Sequence, residues 1–474
     1  MCTYGGEYYP GYCNNGVVGS NANFKVYTVR RGDSHLSNSD WQNWGLMVPY
    51  GAPFVDVNMS GNYEPMIDTP GVKNASQTVF MCLTDGFPES HNPGEGSGGG
   101  TLPLYAELHL TAWSYSQPSY TDMQFVKFDV INKGVSPWTN TFFSLFADVD
   151  LGDALDDYIG CDTARDLAYG YNADNDDPIY GSNPPAFGLL LLKGAYNKYS
   201  SPQKQFDMTS SVTIIKYATC MGETNGEPYP AYFNMKGFKK DSTAWLDPTY
   251  TPPKKTKFAF SGDPETNIGW TNPKGVILNC NLDSTGQIVS HYPGDKKFLL
   301  NTGDESITVM PGDTQRIVIC QLIARGNNNL NSVTKLKELS DVARNFYNTN
   351  YTIGINTLST EIPTDFSLEQ NFPNPFNPVT NIEFSIPVVD SRPDKPGFKE
   401  THIRGNDKLG GNPLVVIKVF DLLGREVRTL VNEYMQPGAY QVSFDAAGLS
   451  SGVYFYSMII DGKNFSTKKL VLLK

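Results

Sequence analysis

Apolar and polar residues alternate at period two through much of residues 1–360, as in FKVYTVRR (24–31), MQFVKFDVIN (123–132), SVTIIKYATC (211–220) and QRIVICQLIA (315–324). That spacing sends successive side chains to opposite faces of a strand, so FVKFDVIN predicts one buried and one wet face. Clusters of Gly, Pro, Asn and Asp separate the runs. Many short strands, evenly spread, favour antiparallel sandwiches over a parallel α/β sheet. One stretch has the helical period instead. In SVTKLKELSDVARNFY (332–347), Val333, Leu336, Leu339, Val342, Ala343 and Phe346 recur at three- and four-residue intervals, which predicts one amphipathic helix closing a large domain over residues 1–356.

Residues 357–380, TLSTEIPTDFSLEQNFPNPFNPVT, are dense in Pro and Asn, residues suited to neither a helix nor a central strand. They read as a linker and entry strand, with a boundary near residue 360. Strand patterns resume in NIEFSIP (381–387), LVVIKVFDLLG (414–424), REVRTLV (425–431), GAYQVSFDA (438–446), GVYFYSMII (452–460) and NFSTKKLVLL (464–473), predicting a small Ig-like β-sandwich over 381–474. The expected fold class is all-β: a large antiparallel β-sandwich domain with one amphipathic helix, then the small Ig-like sandwich.

Composition adds the setting. The 474 residues include 44 Gly, 32 Pro and 12% aromatics against only 18% charged residues, a balance that suits a turn-rich extracellular β protein better than a helical cytosolic enzyme. A formal charge of −12 disfavours nucleic acid and anionic lipid as partners and makes cations the natural ligands. The longest aliphatic run, Leu189 to Leu192, falls far short of the ~20 residues that span a bilayer, so no membrane span is expected. The opening MCTYGGEYYPGYC has no basic stretch followed by an apolar one, and a trimmed N-terminus without its own signal peptide is expected. Seven cysteines (Cys2, Cys13, Cys82, Cys161, Cys220, Cys280, Cys320) show no CxxC or CxxCH spacing. Disulfides in an oxidising compartment are therefore favoured over zinc ribbons or haem attachment. Cys2–Cys13 and Cys161–Cys220 are the pairs put forward, with at least one thiol left over.

The C-terminal blocks SLEQNFPNPFNPVTNIEFSIP, VIKVFDLLGREVRTLV, GAYQVSFDAAGLSSGVYFYSM and KKLVLLK resemble the type A C-terminal sorting domain of type IX secretion substrates, secreted proteins of Bacteroidetes and their relatives. The resemblance covers roughly the last 110 residues. It departs from the family in a long polar insert, VVDSRPDKPGFKETHIRGNDKLGGNP (388–413), expected to loop out. It implies export by the type IX machinery, an extracellular or outer-surface location, and removal of the domain or its use in attachment. GAPFVDVNMSGNYEPMIDTPG (51–71), FADVDLGDALDDYIGCDTARDLAYGYNADNDD (146–177), PPAFG (184–188) and NNLNSVTKLKEL (328–339) resemble an uncharacterised module that often precedes this domain, which implies architecture but no activity.

Two acidic segments carry the candidate chemistry. Asp56, Asn58, Ser60 and Asn62 place oxygens at alternate positions around Gly61, and Asp68 stands where a closing carboxylate would. Alternate oxygens converge on one side of a tight turn, the arrangement a hard cation with six to eight oxygen ligands requires. No flanking helices are predicted and position 12 is Ile67, so this is not an EF-hand. The second segment packs Asp148, Asp150, Asp153, Asp156, Asp157, Asp162, Asp166, Asp174, Asp176 and Asp177 around a single base, Arg165. Such carboxylates repel unless solvated or bridged. Calcium is the expected cofactor, in a structural role, with Asp148, Asp150, Asp153, Asp156 and Asp157 as candidate ligands.

Other strings are demoted. Gly94-Glu-Gly96-Ser-Gly98-Gly99 fits GxGxxG without the flanking strand and helix, and Gly448-Leu-Ser450-Ser-Gly452 fits GxSxG between hairpin strands rather than at an elbow. Arg31-Gly32-Asp33-Ser34 reads as a turn. His35, His91, His109, His291 and His402 show no paired spacing for hydrolytic zinc. Glu107 with Asp122 or Asp129 offers a glycosidase pair only if their separation suits. Tyr8, Tyr9, Tyr12, Trp41, Trp44, Trp113, Tyr115, Trp138, Trp245 and Trp270 would form either a sugar platform or core. The expected protein is a secreted, non-enzymatic, calcium-stabilised one with a binding or structural role. Its rivals are a self-assembling extracellular filament or sheath subunit, and a carbohydrate-binding or polysaccharide-degrading protein.

Overall fold

The computed structural model describes residues 3–58, 60–91, 101–117, 119–215, 220–224, 227–280, 287–349, 355–359, 363–388, 413–435, 437–446 and 449–473. The Gly94–Gly99 string, Gly448, most of the 388–413 insert, His402 and Cys2 lie outside them. The chain divides into two compact units, Met1–Asp341 and Val342–Lys474.

The principal strands of the first unit are β1 (Tyr9–Pro10), β2 (Tyr27–Arg30), β3 (Gln77–Thr84), β4 (Ala106–Ser114), β5 (Met123–Asn132) and β6 (Phe142–Val149). They continue with β7 (Asp157–Asp162), β8 (Leu167–Asn172), β9 (Ala186–Lys193), β10 (Met208–Ile215), β11 (Lys296–Gly303) and β12 (Thr314–Ala324). A nine-stranded antiparallel sheet runs β1-β3-β4-β5-β12-β9-β8-β7, with β2 also on the outer edge of β3. A three-stranded sheet, β6-β11-β10, faces it. Val126, Ile159, Ala168, Leu189, Leu191, Ile317 and Ile319 of the large sheet share one core with Val212, Ile214, Phe298 and Leu300 of the small one. Burial alternates residue by residue along Gln77–Thr84, the mark of a strand with unlike faces; Met123–Asn132, expected to have one wet face, lies between two neighbouring strands and exposes only Gln124.

Where the sheet is covered on both sides the alternation vanishes. Every residue of β8 is buried, and so is the Leu189–Leu192 run of β9. A long helix, Asn329–Asn348, encloses the predicted 332–347. A Cβ at Gly188 would stand 2.9 Å from Leu167 and 3.0 Å from Leu336, so glycine sets how closely the helix lies on β9. Among the described residues two short helices accompany the predicted one. Ser39–Asn43 and Pro228–Met235 are also helical, each too short to show a period, and Asn38 caps the first by accepting the N–H of Asp40 at 2.8 Å. On the outer face of β3, Phe24, Tyr27, Val29, Trp44, Met47 and Phe80 form a separate small core.

Both expected disulfides are corrected. The bond joins Cys220 to Cys280, Cα atoms 5.5 Å apart. Cys161 faces inward on β7 and is a buried free thiol, as are Cys13, Cys82 and Cys320. Neither Cys220 nor Cys280 lies in a strand, so the pairing follows from the tertiary placement of two connecting segments, which a count of cysteines does not reveal.

The second unit is a sandwich of two four-stranded sheets. Its strands are β13 (Ile355–Ser359), β14 (Ser367–Leu368), β15 (Val379–Ile386), β16 (Leu414–Phe420), β17 (Glu426–Tyr434), β18 (Gly438–Asp445), β19 (Gly452–Ile460) and β20 (Lys463–Leu472). The sheets run β13-β18-β15-β14 and β17-β16-β19-β20. Ile382, Phe384, Val442 and Phe444 meet Val415, Ile417, Met458 and Leu470 in its core. The Pro/Asn-rich segment is fastened to this sandwich: Phe376 is in the core, and Tyr456 Oη accepts the Asn371 N–H at 2.8 Å while donating to Glu369 O at 2.6 Å. Among the described residues, no helix is long and apolar enough to cross a membrane.

Candidate metal centre and binding cleft

The loop 56–68 spends its oxygens on its own backbone. Asp56 Oδ1 and Oδ2 accept the N–H groups of Ser60 (3.1 Å) and Gly61 (2.8 Å). Asp68, 2% exposed, accepts from Val57 (2.9 Å) and Glu64 (2.7 Å). Asn58 Oδ1 accepts from Ser60 N and its Nδ2 donates to Glu64, while Ser60 Oγ and the Asn62 backbone bond each other. The spacing that suits a cation loop equally suits these Asx turns, and among the described residues no three acidic groups of this loop converge.

The second segment does converge. Carboxylate oxygens of Asp148, Asp150 and Asp295 lie within 4.8 Å of one another, with Asp148 also 3.2 Å from Lys297 Nζ. Deeper in, the β7–β8 register sets Asp157 directly opposite Asn172, on the inward face shared with Ile159 and Cys161. Both are fully buried. Asp157 Oδ2 accepts Leu151 N–H at 3.0 Å. Burial pushes its carboxyl up to about 8, with the charges of Asp156, Asp150 and Asp177 adding to the shift. Asn172 Nδ2 donates to Asp156 Oδ1 (2.5 Å) and Asp177 Oδ2 (3.3 Å). Asp177 also accepts the N–H groups of Asp153, Ile179 and Tyr180. Asp153 itself caps Leu155 N–H at 2.9 Å. A Cβ at Gly152, φ +83°, would fall 2.1 Å from Asp177 Oδ2, so only glycine leaves room for that carboxylate. Asn172 and Asp295 are additions to the sequence set. Asn172 was accessible to hairpin arithmetic about Thr163–Asp166, whereas Asp295 arrives from the far side of the chain.

The glycosidase candidates are held as ions. Glu107 accepts from His109 Nε2 at 2.8 Å and from Cys13 N–H at 2.8 Å, with Lys133 at 3.6 Å. Asp129 has a bidentate pair with Arg316 at 2.6 and 3.1 Å and Lys127 at 3.1 Å. These partners outweigh burial and draw both carboxyls below their ordinary values, away from the raised value a general acid needs. Asp122 is exposed. Cys82, opposite His109 in the β3–β4 register, groups with Glu107 and His109, but its thiol donates to Gly11 O at 3.2 Å and burial pushes it up. Burial likewise raises Cys13, Cys161 and Cys320. Iodoacetamide is expected to modify these four at least about a hundredfold more slowly in native than in denatured protein; rapid native labelling of any one, located by peptide mapping, would contradict the packing.

Four of the six tryptophans, Trp44, Trp113, Trp245 and Trp270, are buried, so they are core and not a platform. Arg31–Ser34 is a turn in which Asp33 accepts from Arg30 N–H and Asn38. A cleft of about 950 Å³ opens around the edge strand β6. Leu108, Leu110, Phe128, Val130, Phe143 and Leu145 are among its walls. Its charged lining residues are Asp148, Glu223 and Lys297, and Lys297 pairs with both acids, at 3.2 and 2.7 Å.

Residues 370–473 match the model of the secretion system C-terminal sorting domain. Comparison with curated proteins finds no significant match. Among solved structures, a polysaccharide lyase is similar at 9% identity and a TM-score of 0.21, over 77% of this chain and 34% of the lyase. The chain thus spans about a third of that protein, and a likeness of this size transfers nothing.

Proposed function

Since the chain is a type IX secretion substrate, whose type A sorting domain directs it to the cell surface or the extracellular space, we propose that its first unit acts there as a calcium-stabilised, non-catalytic binding protein. The sorting domain is the part that the secretion machinery recognises. The observation that carries the binding role is the β6 cleft: apolar walls, with its charged groups paired among themselves. A pocket of that lining gains affinity from area removed from water, and among the described residues its carboxylates and its one lysine are engaged with one another. Ionised, basic-paired Glu107 and Asp129 support the same reading.

The test sets binding against turnover. The apolar fluorophore bis-ANS should bind the purified chain saturably and lose about tenfold in affinity in Leu108→Asp, which places a charge in the wall. Incubation with a panel of polysaccharides should release no reducing ends above the blank. Sustained sugar release would overturn the non-catalytic assignment. Ordered fibres in electron micrographs, with no saturable fluorophore binding, would replace a binding role with a structural one.

A further inference from the structure

Two buried oxygens in the acidic region have no hydrogen-bond partner: Asp157 Oδ1 and Asn172 Oδ1. Leaving either dry is costly, and the cost is greatest for a carboxylate. The Asn172 amide has no freedom to turn, because its Nδ2 lies against the carboxylates of Asp156 and Asp177. Its Oδ1 is therefore directed away from them. Asp157 and Asn172 are cross-strand neighbours on one face, a relation that brings side chains within about 5 Å. These neighbouring oxygens, with Asp150, Asp156 and Asp177 all close enough to act electrostatically on Asp157, form a site compensated either by a proton held on Asp157 or by a cation that displaces it.

We infer that a divalent cation of the calcium class binds at the inner end of the β7–β8 hairpin, taking Asp157 Oδ1 and Asn172 Oδ1 as ligands and drawing charge from Asp150 and Asp156. This assignment deepens the calcium reading above by moving the ion from the exposed loop 56–68, and from the Asp148–Asp150–Asp295 group at the surface, to the end of the sandwich core. Hard oxygen donors of mixed carboxylate and amide type are what calcium takes. Lys296 is the competing source of positive charge: it is buried and close enough to Asp157 and Asp295 for their charges to act on it, but no ion pair joins it to Asp157 among the described residues. An ion here would tie the 149–157 loop to β8, because Leu151 N–H already binds Asp157 and Asp153 N–H binds Asp177.

The experiment compares thermal midpoints of the full chain in calcium and in EDTA for wild type, Asp157→Asn and Asp295→Asn, with calcium binding followed by calorimetry. For wild type, calcium at a hundredfold excess over Kd should raise the midpoint by roughly 5 °C. Asp157→Asn keeps an acceptor for Leu151 and removes the buried charge. It should melt no lower than wild type in EDTA, gain nothing from calcium, and lose the calorimetric signal. Asp295→Asn should keep the full response. A calcium response retained by Asp157→Asn, or lost only in Asp295→Asn, overturns this site while leaving the calcium reading intact. A wild type indifferent to calcium overturns both. If Asp157→Asn lowers the midpoint equally with and without calcium, the carboxylate serves Lys296 and the inference is wrong.

Discussion

Replacing Cys220 and Cys280 with serine is expected to cost the protein about 4 kcal/mol, the loop-closure entropy restored to the unfolded chain. The bond spans a sequence separation of 60, and the residues it encloses are central to the first unit: Trp245, Phe260 and Trp270 all belong to its main core. Local anchoring acts in the same direction. Lys240 N–H binds Cys220 O at 3.1 Å. Buried Lys239 donates to Ile277 O at 3.1 Å and to Asn279, next to Cys280, and lies over the Trp245 ring at 5.2 Å. Burial lowers the Lys239 ammonium to about 8, so a loosened loop that admitted water would release a strained charge as well as an aromatic cluster. Urea melts of the double-serine variant and wild type, under non-reducing conditions, measure the difference. A loss under about 1 kcal/mol would mean that the loop is held by packing alone.

What the sequence reveals depends on whether one face of an element meets water. Met123–Asn132 and Gly452–Ile460 have the bounds that the sequence predicts, because clear turn signals stand at both ends of each. The Leu189–Leu192 run shows no period, because the facing sheet lies on one side and the long helix on the other. The segment 357–380 reads as linker and entry strand on its proline and asparagine content; of its three phenylalanines, Phe376 fills the second core, Phe366 packs against it and Phe372 is exposed. At the candidate site, carboxylate density made Asp157 visible. Its partner Asn172 is legible only through cross-strand register, and Asp295 only through the tertiary placement of β11. Loop 56–68 shows the opposite limit: alternate oxygens signal either a cation or Asx turns, and the pattern does not contain the choice.

Acidification should expose a second weak point, at His291. The ring is 5% exposed, stacked on Phe260 at 5.1 Å, joined through Nδ1 to Asn272, and its Nε2 makes no hydrogen bond. Burial, with a smaller push from Lys296, lowers its ionisation to about 3, against an ordinary 6.5 or so in the unfolded chain. Between those values the unfolded chain holds a proton that the folded chain refuses, so stability is intact above about 6.5 and falls as pH drops toward 3. At pH 4 this group alone should cost about 3 kcal/mol. His291→Gln keeps a partner for Asn272 without a titrating ring. Its loss of stability between pH 7 and pH 4, measured by urea melts, should therefore be smaller than that of wild type by about 3 kcal/mol. The carboxylates titrate in both proteins and cancel in the comparison. Equal losses would place the acid sensitivity elsewhere and show that protonated His291 is accommodated by a local opening of the 287–296 segment that leaves the sandwich intact.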